Sequence, residues 1–311
     1  MKKVSIIGAG NVGATTALLI AQKELADEVI LVDVLPGLAE GKALDMAQAG
    51  AIEEFEVNLT GTSDYSKIHD SQLVVITAGL TRKPGMSRED LLRQNANIVE
   101  EITLNIVKYS PNSIIIVVTN PVDVMTYHVW KVSGFPAQRV LGQAGVLDTA
   151  RFCYFIAKEL GISTKNISSI ILGGHGDSMV PLPRYTTVSG IPLTELMEED
   201  TINRLAERAR KGGGEIVELL KTGSAFYTPA SATVQMAETI LKDKKQILPC
   251  SVYLEGQYGI SDIYIGVPAK LGVNGVEEII ELKVTEAELS ALQTSAKIYK
   301  QTINGELKIM N

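Results

Sequence analysis

One histidine just past the midpoint of the chain lies in a setting suited to proton transfer. His175 follows an apolar run at 167–172, and Gly173, Gly174 and Gly176 let the backbone come close to its ring. Histidine is the side chain that most readily exchanges a proton near neutral pH. The local sequence leaves two interpretations open: a general acid–base, or a loop histidine that happens to follow a strand. The chemistry therefore depends on which groups the rest of the chain places beside the ring.

Two further sets of charged residues could act with this histidine on a charged substrate. Asp148 and Arg151 are three positions apart in a helix-like run, so they share a helical face, although an ordinary ion pair explains the spacing as well. Arg82 and Arg88 lie in a segment containing glycine and proline. That composition suits a loop that closes over a ligand, and it equally suits a solvated basic loop. For either set, the spacing alone does not decide between a functional and a structural role.

The start of the chain has the order of elements that a dinucleotide-binding unit requires. Gly8 permits a tight turn, Gly10 lets the backbone approach a pyrophosphate, and Gly13 lets the following helix pack against the strand. The N-terminus of that helix would offer free N–H groups to the phosphates. The unit comprises a strand-like run at 3–8, the turn formed by Gly8, Ala9, Gly10, Asn11, Val12 and Gly13, a helix-like run at 14–22 and a strand-like run at 28–33.

Asp33 ends the second strand-like run and indicates which dinucleotide binds. Its carboxylate is placed to accept hydrogen bonds from the ribose hydroxyls, and it would repel a 2′-phosphate. The unit therefore predicts NAD rather than NADP as the cofactor.

The rest of the first half continues the alternation of strands and helices. This pattern predicts an α/β fold with a doubly wound parallel sheet and helices on both faces. Ligands of such sheets lie at the carboxyl ends of the strands, where residues 77–88 and 119–121 follow. The predicted elements are helices at 38–50 and 86–109, extended runs at 55–61, 72–78 and 113–119, and a further helix beginning at Pro121.

From about residue 145 the pattern changes to α+β. We predict a Rossmann NAD-binding domain at 1–145 and an α+β catalytic and substrate domain at 146–311, joined by a tight interface because no linker separates them. The predicted elements of the second half are helices at 147–160, 196–221, 228–242 and 285–304, a hairpin at 180–192, and short antiparallel strands between 246 and 281.

Composition limits the partners and the location of the protein. Acidic residues outnumber basic ones, 36 to 29, so no nucleic-acid partner is expected. No apolar run is long enough to cross a bilayer, and the strand-like run that begins at once leaves no room for a signal peptide. Cys153 and Cys250 suit neither a disulfide framework nor a metal site. We therefore expect a cytoplasmic protein without a metal ion.

Taken together in order, these motifs resemble the lactate/malate dehydrogenase family over essentially the full chain. The similarity is greatest to its malate-specific, lactate dehydrogenase-like branch. The residues that carry it are Gly8, Gly10, Gly13 and Asp33, the segments 77–88 and 118–121, Leu147, Asp148 and Arg151, and the run Gly173, Gly174, His175, Gly176 and Asp177.

The resemblance implies a role for each matching residue. His175 would exchange a proton with the substrate oxygen, and Asp148 would orient its ring. Arg151 would hold the C1 carboxylate through two parallel hydrogen bonds, and Arg88 would polarise the carbonyl. The resemblance further implies that Asn120 bonds the substrate and also contacts the cofactor, and that Asn95, Val118 and Thr119 contact the cofactor. His69 and His128 match none of these motifs, and we interpret them as structural.

Arg82 carries the prediction of the substrate. The family has arginine at this position where the substrate is malate and glutamine where it is lactate. A second substrate carboxylate buried under a loop needs a cation beside it, whereas the methyl group of pyruvate would leave that cation unpaired. The small Ala225 also fits the malate pattern. We expect NAD-dependent interconversion of malate and oxaloacetate, with a lactate or other 2-hydroxy acid dehydrogenase as the alternative.

Two further expectations concern the class and the assembly of the protein. A catalytically silent NAD-binding sensor is the rival from another class, and it would have no need for His175, Asp148 and three arginines together. By analogy with the family we expect a homo-oligomer, with a tetramer favoured over a dimer, acting in the tricarboxylic acid cycle.

Overall fold

The computed structural model of the chain describes residues 2–80 and 87–306. Strands and helices alternate through its first half. The strands are β1 (Lys3–Ile7), β2 (Glu28–Val32), β3 (Asn58–Thr62), β4 (Leu73–Ile76), β5 (Ile114–Val117) and β6 (Val140–Gly142). The helices are α1 (Asn11–Gln22), α2 (Leu38–Glu53), α3 (Arg88–Tyr109) and α4 (Val122–Ser133).

The second half combines helices with short and long strands. Its helices are α5 (Gly145–Leu160), α6 (Leu193–Leu196), α7 (Glu199–Leu220), α8 (Tyr227–Leu241) and α9 (Glu286–Glu306). Its strands are β7 (Ile167–Ser168), β8 (Ile171–Leu172), β9 (Val180–Pro181), β10 (Thr187–Val188), β11 (Ile191–Pro192), β12 (Ile247–Glu255), β13 (Ser261–Gly272) and β14 (Gly275–Ile279).

One large sheet runs through both halves. Over the residues described it has nine strands in the order β14-β13-β12-β6-β5-β4-β1-β2-β3. All neighbours from β3 to β6 are parallel. The predicted doubly wound parallel sheet and the α+β second half are therefore confirmed. The strand order reverses between β1 and β4, the place where such sheets bind ligands.

The antiparallel strands differ from the prediction in length and in position. They were expected to be short, but β12 and β13 span 9 and 12 residues. They also extend the parallel sheet, because Ser251 of β12 pairs with Gly142 of β6, a strand that the sequence analysis did not predict. The alternation of strand-like and helix-like runs predicts how elements close in sequence are arranged. It does not predict the pairing of β12 with β6, which depends on how the two halves pack.

Several element boundaries also differ from the prediction. Helix α1 begins at Asn11 rather than at 14, because the residues after Gly10 already have helical geometry. The helix predicted at 196–221 begins at Glu199 as α7; the short α6 precedes it, and the extended Glu198 lies between them. The apolar run at 167–172 forms two separate two-residue strands. An apolar run predicts burial more securely than it predicts continuous pairing.

Burial explains why the central strands are apolar throughout. The strands β4 and β5 are buried along their whole length, as expected for parallel strands covered on both faces. A second apolar cluster, which includes Phe152, Ile156 and Leu205, joins α5 to α7. The core of the sheet, through Val146 and Leu147, and this cluster both pack against α5. No helix within the described ranges is long and apolar enough to cross a membrane.

Candidate active site

The glycine turn after β1 is shaped by contacts that exclude side chains. Gly8 has a φ of +107°, and a Cβ there would lie 2.6 Å from the backbone nitrogen of Ala78. A Cβ on Gly13 would lie 1.9 Å from the carbonyl oxygen of Gly8, so only glycine lets α1 pack this closely on the turn. At Gly10, by contrast, a Cβ would meet no atom of the described residues within 4 Å. The turn therefore leaves open space beside Gly10.

The start of α1 and the end of β2 frame that space. Within 2–80 and 87–306 no side chain caps α1, whose N-cap is Gly10, so its first N–H groups are available to an anion. Asp33 follows β2, and its Oδ2 accepts a hydrogen bond of 2.7 Å from the N–H of Ala9. This contact ties the carboxylate to the glycine turn. The uncapped helix, the open side of Gly10 and the adjacent carboxylate fit the phosphates and ribose of a dinucleotide.

His175 and Asp148 form a close pair at the opposite end of the site. The imidazole Nδ1 lies 3.0 Å from Asp148 Oδ2, and the side chains are only 16% and 3% exposed. Asp148 lies in the first turn of α5, where the helix dipole favours a carboxylate. Burial by itself lowers the pKa of His175, but the charge and hydrogen bond of Asp148 outweigh it and raise that pKa. This arrangement suits a group that donates a proton and takes it back.

Arg151 lies on the same face of α5 as Asp148, as the spacing predicted. Its Nη1 is 3.7 Å from Asp148 Oδ1, which is too long for a hydrogen bond, and its side chain is 13% exposed. Its buried Nε has no hydrogen-bond partner among the described residues. Burial lowers the pKa of this guanidinium. A planar cation held in this way is suited to a carboxylate ligand.

Glycines of α7 make room for the Arg151 side chain. A Cβ at Gly212 would lie 3.2 Å from Arg151 Cδ, and one at Gly213 would lie 3.6 Å from Arg151 Nη2. Glycine weakens a helix interior, so its presence here is consistent with the need for close approach.

The predicted closing loop falls partly outside the described residues. Arg82 lies outside them, and Arg88 is described only as the first residue of α3. The base of the loop is fixed by Asn95, whose Oδ1 accepts a 2.7 Å hydrogen bond from the N–H of Leu80. Its Nδ2 donates to the carbonyl oxygen of Asn120 at 3.0 Å. Asn95 thus joins the two segments that follow β4 and β5, and its contact with the cofactor stays a prediction.

The segment after β5 lies beside the glycine turn. Val118 follows β5 directly, and the hydroxyl of Thr119 donates to the carbonyl oxygen of Ala78 at 2.6 Å. Asn120 is exposed and precedes a cis peptide bond to Pro121. The predicted residues that follow β1, β2, β5 and β6 are thus gathered at one edge of the parallel sheet.

The other two histidines lie apart from this cluster. His69 is exposed beside Asp70, with a nitrogen–oxygen distance of 2.9 Å. His128 is buried in α4, and its Nε2 lies 3.7 Å from Glu100. Within 2–80 and 87–306, no group of three or more His, Cys, Asp or Glu side chains could hold a metal ion.

The structure adds residues around His175 that the sequence analysis missed. Asp123 in the first turn of α4 accepts a hydrogen bond of 2.9 Å from the backbone N–H of His175. From α9, the Tyr299 hydroxyl donates to the His175 carbonyl oxygen at 3.0 Å, and Ser295 Oγ accepts from the Gly174 N–H at 2.9 Å. Asp123 could have been predicted from the sequence, because it is an acidic residue in the first turn of a helix that follows a parallel strand. The sequence held no such signal for the residues of α9.

Comparison with known proteins gives consistent matches over the whole chain. The model of the lactate/malate dehydrogenase NAD binding domain matches residues 2–142, and that of the family's alpha/beta C-terminal domain matches residues 145–309. A malate dehydrogenase from Pelodictyon phaeoclathratiforme is 57% identical over 299 residues, which is 96% of each chain.

Solved structures agree with the sequence matches. The malate dehydrogenase of Salinibacter ruber is 50% identical, with a TM-score of 0.93 over 97% of this chain and 96% of that one. A lactate dehydrogenase of Cryptosporidium parvum, solved with lactic acid and nicotinamide adenine dinucleotide, is 39% identical, with a TM-score of 0.93 over 98% of each chain.

Proposed function

The chain belongs to the lactate/malate dehydrogenase family, and from this membership we infer that it is an NAD-dependent oxidoreductase that interconverts (S)-malate and oxaloacetate. Three malate dehydrogenases are 55–57% identical to it over nearly the whole chain. One geometric observation carries the chemistry. His175 pairs with Asp148 at 3.0 Å, and Asp148 shares a helical face with the buried guanidinium of Arg151, whose Nε has no partner among the described residues.

Each residue of that group has one proposed task. His175 gives a proton to the substrate oxygen when oxaloacetate is reduced and takes it back when malate is oxidised. Asp148 holds the ring through Nδ1, so that Nε2 is the nitrogen that faces the substrate. Arg151 binds the C1 carboxylate and thereby aims C2 of the substrate at the ring. Bound NAD supplies the acceptor or donor of the hydride.

The remaining predicted residues complete the proposed site. Gly8, Ala9, Gly10, Asn11, Val12 and Gly13 form the phosphate turn, Asp33 binds the adenosine ribose, and Asn95, Val118, Thr119 and Asn120 contact the cofactor. Arg88 polarises the carbonyl, Asn120 bonds the substrate, and Arg82 binds the second carboxylate. That last contact makes the substrate a dicarboxylate.

We propose that the cofactor domain covers residues 1–145 and the substrate domain residues 146–311. The end of β6 at Gly142 and the start of α5 at Gly145 support a division there. We further propose a cytoplasmic homotetramer that acts in the tricarboxylic acid cycle. Cys153 and Cys250 are free thiols, as in a reducing compartment, and the large apolar side chains Leu44 and Ile52 are exposed on α2, as at a subunit contact. Light scattering of the purified protein measures the oligomeric state.

Initial rates with two substrates and two cofactors test the proposed function. Oxaloacetate and pyruvate are compared at equal, low concentration, each with NADH and with NADPH. We expect oxaloacetate with NADH to be the preferred combination, because Arg82 matches a dicarboxylate and Asp33 repels a 2′-phosphate. Equal rates with pyruvate would contradict the malate assignment, and equal rates with NADPH would contradict the role of Asp33.

A further inference from the structure

A second buried carboxylate bonds the backbone of the histidine loop. Asp123 is 0% exposed, and its Oδ2 accepts the N–H of His175 at 2.9 Å. Its Oδ1 accepts a hydrogen bond of 2.6 Å from the hydroxyl of Ser251. Both carboxylate oxygens are therefore engaged, one by the catalytic loop and one by β12 of the central sheet.

Asp123 and Asp148 occupy equivalent places in the fold. Each lies in the first turn of a helix that follows a parallel strand, α4 after β5 and α5 after β6, and these strands are neighbours. Asp148 bonds the ring of His175, whereas Asp123 bonds its backbone. The two carboxylates therefore fix the same residue at two different points.

We propose that Asp123 is a positioning residue for the proton transfer at His175, and that its negative charge, and not only its hydrogen bonds, favours the protonated imidazole. This inference rests on the proposed function. In this proposal a second carboxylate, that of Asp123 on α4, acts on His175 in addition to Asp148 on α5.

The charge of Asp123 needs an explanation beyond hydrogen bonding. An asparagine could accept the His175 N–H through its oxygen and donate an N–H to the Ser251 hydroxyl, without a buried charge. Burying a carboxylate is costly even when the dipole of α4 and two donors stabilise it. A neutral side chain would therefore suffice for a purely structural contact, whereas stabilising an imidazolium requires a charge.

Among the described residues, the titratable and charged groups around His175 come from three helices. Asp148 and Arg151 belong to α5, Asp123 belongs to α4, and Tyr299 of α9 bonds the His175 carbonyl oxygen. The charges of Asp148 and Asp123 both raise the pKa of His175, against burial and against Arg151. Burial raises the pKa of Asp123 to about 6, although the hydrogen bonds of Ser251 and His175 lower it. At pH 7 and above, Asp123 is therefore mostly ionised.

The test compares Asp123→Asn with Tyr299→Phe. The first change removes the charge and keeps both hydrogen-bonding positions, whereas the second removes a neutral contact with the same loop and leaves the charge. Because the chain has only three histidines, the imidazole signals can be followed by NMR in protein with labelled histidine, with the exposed His69 as internal reference. The substrate-free enzyme is titrated, so this readout does not depend on which substrate is used.

We expect Asp123→Asn to lower the pKa of His175 and Tyr299→Phe to leave it unchanged. In Asp123→Asn, kcat for oxaloacetate reduction should fall about tenfold, as for other partners that orient a catalytic group, with KM little changed. The upper pH limit of kcat/KM should shift to lower pH. A folded Asp123→Asn protein with the wild-type titration and pH profile would overturn the proposal.

Ser251→Ala provides a second route if Asp123→Asn does not fold. Loss of the Ser251 hydroxyl destabilises the ionised form of Asp123, so the pKa of His175 should shift in the same direction by a smaller amount. An unchanged titration in Ser251→Ala would also overturn the proposal. Failure of wild type to reduce oxaloacetate is a separate result, which contradicts the proposed function and leaves the NMR comparison valid.

Discussion

His175 Nδ1 and Asp148 Oδ2 lie 3.0 Å apart, although 27 positions separate the two residues in the chain. The histidine is on the loop between β8 and β9, and the carboxylate is in the first turn of α5. Two elements of the second half thus form the proposed acid–base pair. The first half supplies the glycine turn at the same edge of the sheet. This division explains why the site lies where the two halves meet.

Replacing Asp148 should disable the proton transfer without unfolding the protein. Asp148→Asn should lower kcat/KM for oxaloacetate by about 10²–10⁴-fold, because the ring loses its orienting charge and its preferred tautomer. In the proposed mechanism, reduction uses protonated His175, and loss of the carboxylate should lower the pKa of His175. The rate should therefore fall at lower pH than in wild type.

The exposed pair of His69 and Asp70 gives the matched control for this change. Their 2.9 Å contact resembles that of the catalytic pair in chemistry but is open to solvent. Asp70→Asn should leave the pH–rate profile unchanged. If Asp70→Asn and Asp148→Asn behaved alike, the assignment of Asp148 would be wrong.

Arg82→Gln should change which substrate the enzyme prefers. The variant loses the cation proposed for the second carboxylate, so the ratio of kcat/KM for oxaloacetate to that for pyruvate should fall at least tenfold. Lys83→Gln removes a neighbouring positive charge from the same loop and should leave the ratio unchanged. A similar fall in both variants would indicate a general effect of loop charge instead of a specific contact.

Two glycine-to-alanine substitutions in the glycine turn should have different effects, one on stability and one on NADH binding. Gly13→Ala places a Cβ 1.9 Å from the Gly8 carbonyl oxygen, so the free energy of unfolding should fall by about 2 kcal/mol. The Cβ of Gly10→Ala would meet no atom within 4 Å in the part of the chain that the structure describes, so the protein should stay stable but bind NADH more weakly. Urea unfolding and NADH fluorescence titration measure the two effects. Equal loss of stability in both variants would contradict this geometry.

Asp123 makes the stability of the protein depend on pH in a defined direction. Its pKa is raised from 3.8 to about 6 in the folded state, so it favours folding below its unfolded pKa. That contribution is lost as the pH rises through about 6. The free energy of unfolding of wild type should therefore fall, relative to that of Asp123→Asn, by about 2–3 kcal/mol between pH 4 and pH 8. A difference independent of pH, measured by urea unfolding, would contradict the raised pKa.

The sequence predicts the fold and the site correctly where the residues concerned are close in the chain or belong to a known motif. The glycine turn with Asp33 and the shared face of Asp148 and Arg151 follow from local order, and the structure shows both. The pairing of His175 with Asp148 came from the resemblance alone, since no local pattern joins residues 27 positions apart.

The sequence does not predict contacts that depend on packing between segments far apart in the chain. Tyr299 meets the His175 carbonyl oxygen across 124 positions, and Ser251 meets Asp123 across 128. A Cβ at Gly174 would lie 1.8 Å from the Tyr299 ring, so the glycine is needed for the docking of α9. From the sequence alone, that glycine predicts close approach of the backbone to the histidine ring, because nothing in the sequence shows where α9 packs.

The rate of oxaloacetate reduction by His175→Asn tests the central claim most directly. Asparagine keeps a polar side chain at this position but cannot exchange the proton, so kcat should fall by about 10²–10⁴-fold. NADH affinity, measured by fluorescence, should stay at the wild-type value because the glycine turn is untouched. A variant that oxidises NADH as fast as wild type would show that His175 is not the proton donor.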